Sequence, residues 1–183
     1  ATNYPVIILV TAFVLMAGIG YDASCLEDAL ARARGRGAGE KVRFTDYIAT
    51  AVLRGGRYGF PQIEAAFDGQ TMTCAFAFVS KCARYGGNLR IARDARLEEP
   101  LLDLVLFESG GFPSRLRYFA AVLMGRQRAT RGIVYRKVTE VTLRPVVEGA
   151  RVPCQLDGET SDPLPGRFRV TPDALFLLRT PAG

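Results

Sequence analysis

Gly132-Ile133-Val134-Tyr135-Arg136-Lys137-Val138-Thr139-Glu140-Val141-Thr142-Leu143-Arg144-Pro145 is the longest alternating stretch of the chain. Ile133, Tyr135, Val138, Val141 and Leu143 interleave with Arg136, Lys137, Thr139, Glu140, Thr142 and Arg144. A period near two sends successive side chains to opposite faces of a pleated backbone, so the stretch reads as one long strand. Toward the C-terminus, Arg151 to Leu156 reads as a further strand. Leu156-Asp157-Gly158-Glu159 then reads as a hairpin turn, because Gly tolerates positive φ and Asp bonds back to its own backbone. Phe168 to Val170 and Ala174 to Leu178 close the chain as short strands.

The same period extends back to residue 60. Gln62 to Phe67 and Thr71 to Ser80 read as strands joined by an Asp68-Gly69 turn. Leu101 to Phe107 is an apolar strand entered from the breaker Glu98-Glu99-Pro100. Pro113 to Met124 is the helical exception, with proline in its first turn. Before residue 60 the pattern changes. Pro5 to Gly20 is almost wholly apolar, but spanning a bilayer takes about 20 residues and no basic leader precedes it. Its Val and Ile content reads as one or two buried strands, with Val6 to Ala17 strand-like. A helix follows from Cys25 to Arg34, with Ser24 and Glu27 spaced as a capping box and Asp22 as an alternative cap. Lys41 to Leu53 reads as a second helix with Phe44, Ile48, Ala51 and Val52 on one face. Strand and helix do not alternate repeatedly after residue 60. The expected class is therefore mostly β with inserted helices (α+β), an antiparallel sheet or β-sandwich, with residues 1–183 forming one domain.

Composition narrows the chemistry. Hydrophobic residues make up 49% of the 183, enough for a packed core. There is no His, which removes Ser-His-Asp and Cys-His catalysis and every His-containing metal site. Acid-base work falls to Asp, Glu, Lys, Tyr or Cys. Cys25, Cys74, Cys82 and Cys154 form no CxxC pair, which argues against structural zinc; Cys74 and Cys82 read as buried thiols, reduced in a cytoplasmic compartment. The net charge of +6 is spread over many Arg with no basic block, which suits an anionic membrane or a phosphorylated ligand and argues against a nucleic-acid arm.

Four segments in order resemble the second domain of the diacylglycerol kinase / sphingosine kinase family of lipid kinases, the bacterial branch in particular. They are Gly18-Ile19-Gly20-Tyr21-Asp22-Ala23; Ala83-Arg84-Tyr85-Gly86-Gly87 through Ile91-Ala92-Arg93-Asp94-Ala95; Leu101-Leu102-Asp103-Leu104; and Leu156-Asp157-Gly158-Glu159 with the following Pro163 or Pro165. Two departures stand out: Glu98-Glu99-Pro100 replaces the family's Asp-Asp-Gly, and Ala92-Arg93 replaces its Ala-Pro. The resemblance implies an antiparallel β-sandwich of the lipid kinase / NAD kinase C-terminal type. Nothing in the chain matches the family's Gly-Gly-Asp-Gly-Thr loop, whose backbone N–H groups hold phosphates. A nucleotide domain is accordingly expected upstream of residue 1, and this fragment alone is not expected to transfer a phosphoryl group.

The resemblance further implies ATP and Mg²⁺ as cofactors, a lipid hydroxyl as acceptor, and a peripheral position on the inner, anionic face of a membrane, with a homodimer possible. It assigns Glu159 first and Asp157 second to catalysis, with Gly158 beside the nucleotide. Arg43 and Arg36 are the candidate phosphate ligands, Arg suiting phosphate through its bidentate fork. Asp22 and Tyr47 face the lipid. A structural Mg²⁺ would take the Glu99 carboxylate and the carbonyls of Arg96 and Leu101, a hard oxygen set, although Pro100 alters the backbone there. The alternatives to each are plain: a solvated hairpin tip, helix-face charges, ordinary core and turn carboxylates. A stripe from Phe112 to Met124, with Arg115, Arg117, Arg126, Arg128 and Arg131 around it, could line a lipid cleft or meet a membrane. Two other functions stay open, a non-catalytic lipid-binding or regulatory module and one half of a NAD kinase-like enzyme.

Overall fold

The stretch from Gly132 to Pro145 is two strands. In the computed structural model, which describes residues 11–36, 58–85, 89–171 and 174, one strand ends at Val138 and the next begins at Glu140. Thr139 carries the chain from one sheet to the other. A strict period of two would put Val138 and Val141, three residues apart, on opposite faces. The break at Thr139 lets both enter the same core. Thr71 to Ser80 divides likewise at Ala75, and its halves lie in different sheets.

The described elements run β1 (Met16–Ile19), α1 (Tyr21–Arg36), β2 (Ile63–Phe67), β3 (Gln70–Cys74), β4 (Phe76–Ser80), β5 (Leu102–Phe107), α2 (Phe112–Leu123), β6 (Ile133–Val138), β7 (Glu140–Pro145), β8 (Cys154–Leu156), β9 (Glu159–Ser161) and β10 (Gly166–Arg169). A six-stranded sheet has the order β6-β5-β4-β1-β8-β9, and a four-stranded sheet has the order β10-β7-β2-β3. Every pairing within them is antiparallel, as the sequence led us to expect. The helix before residue 37 starts at Tyr21, four residues earlier than the expected Cys25. Ser24 is therefore buried within it and donates its N–H to Gly20 O at 3.0 Å, so it does not cap. The expected helix from Lys41 to Leu53 lies outside the described residues, as do residues 5–10 of the apolar run from Pro5 to Gly20 and nearly all of the expected last strand.

Two cores follow from the alternation. Ile19, Ala77, Val79, Leu104 and Leu106 of the large sheet meet Ile63, Ala65, Val141 and Leu143 of the small one. The intervening residues Phe76, Phe78, Val105 and Phe107 point the other way, onto Tyr118, Ala121 and Val122 of α2. Phe76 and Phe107 stack with ring centroids 4.5 Å apart. With both faces covered, β4 and β5 are buried along their whole length, which explains their nearly continuous apolar sequence. Cys25, Cys74 and Cys154 are buried free thiols, whereas Cys82 is only half-buried, a correction to its expected burial.

Candidate functional site

The hairpin between β8 and β9 turns at Asp157 (φ 51) and Gly158 (φ 92), both left-handed, as a tight two-residue connection requires. Glu159, the first residue of β9, follows immediately and is exposed on the sheet's edge strand.

Asp157 holds this turn in place by its own carboxylate. Oδ2 accepts the N–H of Val14 at 2.6 Å, and Oδ1 accepts those of Leu15 and Met16, each at 2.8 Å. Its backbone N–H donates in return to Met16 O at 2.9 Å. The turn is thus fastened to the chain entering β1 by three N–H groups shared between the two Asp157 oxygens.

A second tether runs beneath the turn. The Gly158 N–H donates to Gln155 Oε1 at 2.8 Å, and Gln155 Nε2 donates to Asp22 Oδ2 at 2.9 Å. The Tyr85 hydroxyl donates to the other oxygen, Asp22 Oδ1, at 2.6 Å. Gln155 is 1% exposed and Asp22 2%; burial on this scale requires such satisfied partners. Gly18, paired with Gln155 across β1 and β8, makes the arrangement possible. A Cβ there would fall 1.8 Å from Asp22 Oδ2 and 2.6 Å from Gln155 Nε2. The glycine of the Gly18-Ile19-Gly20 segment therefore leaves room for a buried polar network.

The expected cation loop has a different occupant. Lys81, one residue past β4, sends its ammonium to the carbonyls of Arg96 at 3.2 Å, Glu99 and Leu101 at 2.9 Å. Two of these are the carbonyls that the resemblance assigns to Mg²⁺. The Glu99 carboxylate binds the Lys137 ammonium through Oε2, and Arg96 lies 3.8 Å from Oε1. Lys137 also reaches Asp103 Oδ2 at 3.2 Å and Asp94 O at 3.1 Å. Asp103 is buried and takes the Tyr135 hydroxyl on Oδ1 at 2.6 Å. Burial holds the Lys81 pKa below the ordinary lysine value, and the carboxylates of Asp103 and Glu99 offset this only in part. For Lys137 burial also opposes the charge, but its hydrogen bonds with Glu99 and Asp103 prevail and hold the pKa above the ordinary lysine value. Glu99 is held below the usual carboxylate range by its bond with Lys137. These oxygens do not fit an added divalent ion, because each already receives a cationic N–H. Among the described residues no cluster of three His, Cys, Asp or Glu side chains could hold a metal.

Of the other expected site residues, Arg43 and Tyr47 lie outside the described residues, and Arg36 closes α1. α2 divides its apolar residues: Tyr118, Ala121 and Val122 face the core, while Phe112, Leu116, Phe119 and Leu123 are exposed, as is Met124 just past its end. Arg117 on the helix, and Arg126 and Arg131 in the chain that follows it, are exposed. Arg90, Arg93, Leu123 and Met124 share a shallow groove at its C-terminal end. No helix among the described residues is long and apolar enough to cross a membrane.

Sequence reasoning missed Lys81, Lys137 and Gln155. One signal was present: Asp103 interrupts an apolar strand, and a buried carboxylate requires a cation or donors nearby.

Residues 17–179 match the family model described as YegS C-terminal NAD kinase beta sandwich-like domain. No curated protein matches the chain. Two similar crystal structures, described as a candidate diacylglycerol kinase from Bacillus anthracis str. Sterne, have 16% and 14% identity and TM-scores of 0.59 and 0.57. A third, described as a diacylglycerol kinase from the same organism, has 16% identity and a TM-score of 0.54. Each similarity covers 87% of this chain and 50% of the other, so the chain spans about half the length of these proteins. At such identity the likeness is one of fold.

Proposed function

Because the chain belongs to the YegS C-terminal NAD kinase beta sandwich-like domain family, we propose that it is the lipid-facing, proton-accepting half of an ATP-dependent lipid kinase. The acceptor would be a primary alcohol of diacylglycerol or sphingosine type, and MgATP would be held largely by a nucleotide domain elsewhere in a longer protein. The observation that carries this reading is Glu159, an exposed carboxylate one residue beyond a turn that is tethered twice. In the proposed step the lipid hydroxyl oxygen bonds to the γ-phosphorus, the bond to ADP breaks, and the hydroxyl proton passes to Glu159. Positioning dominates catalysis of phosphoryl transfer, which suits a base mounted on a rigid turn. Asp157, with its carboxylate engaged by three N–H groups, acts here as a positioning residue. Asp22 does the same from beneath, through Gln155. Arg36, Arg43 and the Gly158 turn would face the phosphates, and Tyr47 the lipid.

The lipid would be reached at an anionic membrane surface on the cytoplasmic side. Support comes from α2, which exposes Phe112, Leu116, Phe119 and Leu123, contains no acidic residue and is flanked by exposed arginines. An amphipathic helix of this kind buries its apolar face at the headgroup boundary while Arg meets anionic lipid.

The test is an assay of the full-length protein with radiolabelled ATP against diacylglycerol, sphingosine, ceramide and NAD. Glu159→Gln is expected to lower kcat on the lipid by about 10²-fold or more. Unchanged turnover would return the hairpin to a purely structural role. Phosphorylation of NAD alone would instead favour a NAD kinase-like enzyme. Vesicle binding without any turnover would favour a lipid-binding module.

A further inference from the structure

A lysine ammonium carries three N–H donors and no acceptor. At Lys81 all three find carbonyls of one short loop, those of Arg96, Glu99 and Leu101. The side chain therefore stands at the centre of the loop, where a bound cation would stand. The spacing suits nitrogen: the Arg96 and Leu101 oxygens lie 3.2 and 2.9 Å from Nζ, whereas Mg²⁺ requires oxygens at about 2.0–2.1 Å. The second ammonium, Lys137, takes the carboxylates of Glu99 and Asp103 and the Asp94 carbonyl. Two lysines from β-structure on either side of β5 thus supply two positive charges to one oxygen-rich loop. Pro100, within that loop, lacks an N–H and so gives its carbonyls one donor fewer.

We propose that Lys81 and Lys137 together are the resident cation of the loop from Asp94 to Leu101, so that its order is independent of Mg²⁺ and Ca²⁺. A divalent ion entering the same oxygens would have to expel Lys81 and compete with Lys137 for the Glu99 carboxylate, which that ammonium already holds together with Asp103. The inference concerns the scaffold and is separate from the lipid kinase reading. Its readouts are stability and metal content, and neither depends on turnover.

The experiment uses the full-length protein without nucleotide, dialysed against EDTA. Metal content is measured, then thermal unfolding is followed before and after adding MgCl₂ or CaCl₂. The expected result is metal-free protein with an unchanged Tm on adding either ion. Lys81→Met, which keeps the stem and removes the charge, is expected to lower Tm by several degrees in EDTA. A retained metal ion, or a divalent-dependent rise in Tm that Glu99→Gln abolishes, would overturn the proposal. So would Lys81→Met with the Tm of the parent. Should that variant fail to fold, the metal content and ion response of the unaltered protein still decide.

Discussion

Asp157→Asn separates scaffold from chemistry at a single position. The substitution keeps the size of the side chain but removes a charge that accepts the N–H groups of Val14, Leu15 and Met16. Hydrogen bonds to a charged group are worth about 1.5–3 kcal/mol each, fewer when exposed. A net loss of about 2–3 kcal/mol is expected, read by calorimetry as a Tm drop of about 2–4 °C per kcal/mol for a chain of this size. Glu159→Gln, on the exposed edge strand, is expected to leave Tm unchanged while lowering turnover. An unchanged Tm for Asp157→Asn would mean that water replaces the carboxylate without loss. The turn itself was legible, because Asp-Gly chemistry is local. Its clamp was not, since Val14 and Asp157 lie 143 residues apart. The same holds for Asp22. Its position before a helix suggested a cap, but Tyr85 from the loop after β4 and Gln155 from β8 come to it from far along the chain.

Among the elements, α2 offers the sharpest test. Phe119 and Leu116 contribute nothing to the core, so Leu116→Gln with Phe119→Gln is expected to leave thermal unfolding in place. Burying such side chains is worth about 1.5–3 kcal/mol each, and losing both is expected to weaken sedimentation with phosphatidylglycerol vesicles by at least about tenfold. Binding that persists unchanged would place the membrane contact elsewhere. The existence of α2 was readable from Pro113 in its first turn, and its bounds moved by a residue. The strands were readable too, but their assignment to sheets was not. Alternation identifies a strand, whereas the crossings at Ala75 and Thr139 leave only a skipped beat in the pattern, such as the three-residue gap between Val138 and Val141.

At the scale of the whole molecule, buried thiols link stability to alkaline pH. Burial pushes Cys74 and Cys154 from 9.0 up to about 12, with the Asp22 carboxylate adding to the shift at Cys154. A pKa raised by folding means that unfolded chains ionise first. The contribution is intact below pH 9.0 and is lost as pH rises toward about 12. Urea unfolding is expected to weaken across that window. The pH slope should be shallower in a Cys74→Ala, Cys154→Ala variant; identical slopes would exclude these thiols. The overall class was legible because two sheets sharing a core impose alternation on nearly every strand. The ammonium-filled loop was not, because Lys81 looks like an ordinary charge following an apolar strand.

The place of β1 bears on how the chain is made. It lies inside the larger sheet, between β4 and β8. On the ribosome its β4 partner emerges some 60 residues after it, but Cys154–Leu156 emerges more than 130 residues after it, so one hydrogen-bonding edge of Met16–Ile19 stays open while the residues between are made. Non-local pairing of this kind slows folding, and an open apolar edge invites pairing with other nascent chains. Chaperone demand during translation should therefore centre on Met16–Ile19 and end only when the β8–β9 hairpin clears the exit tunnel.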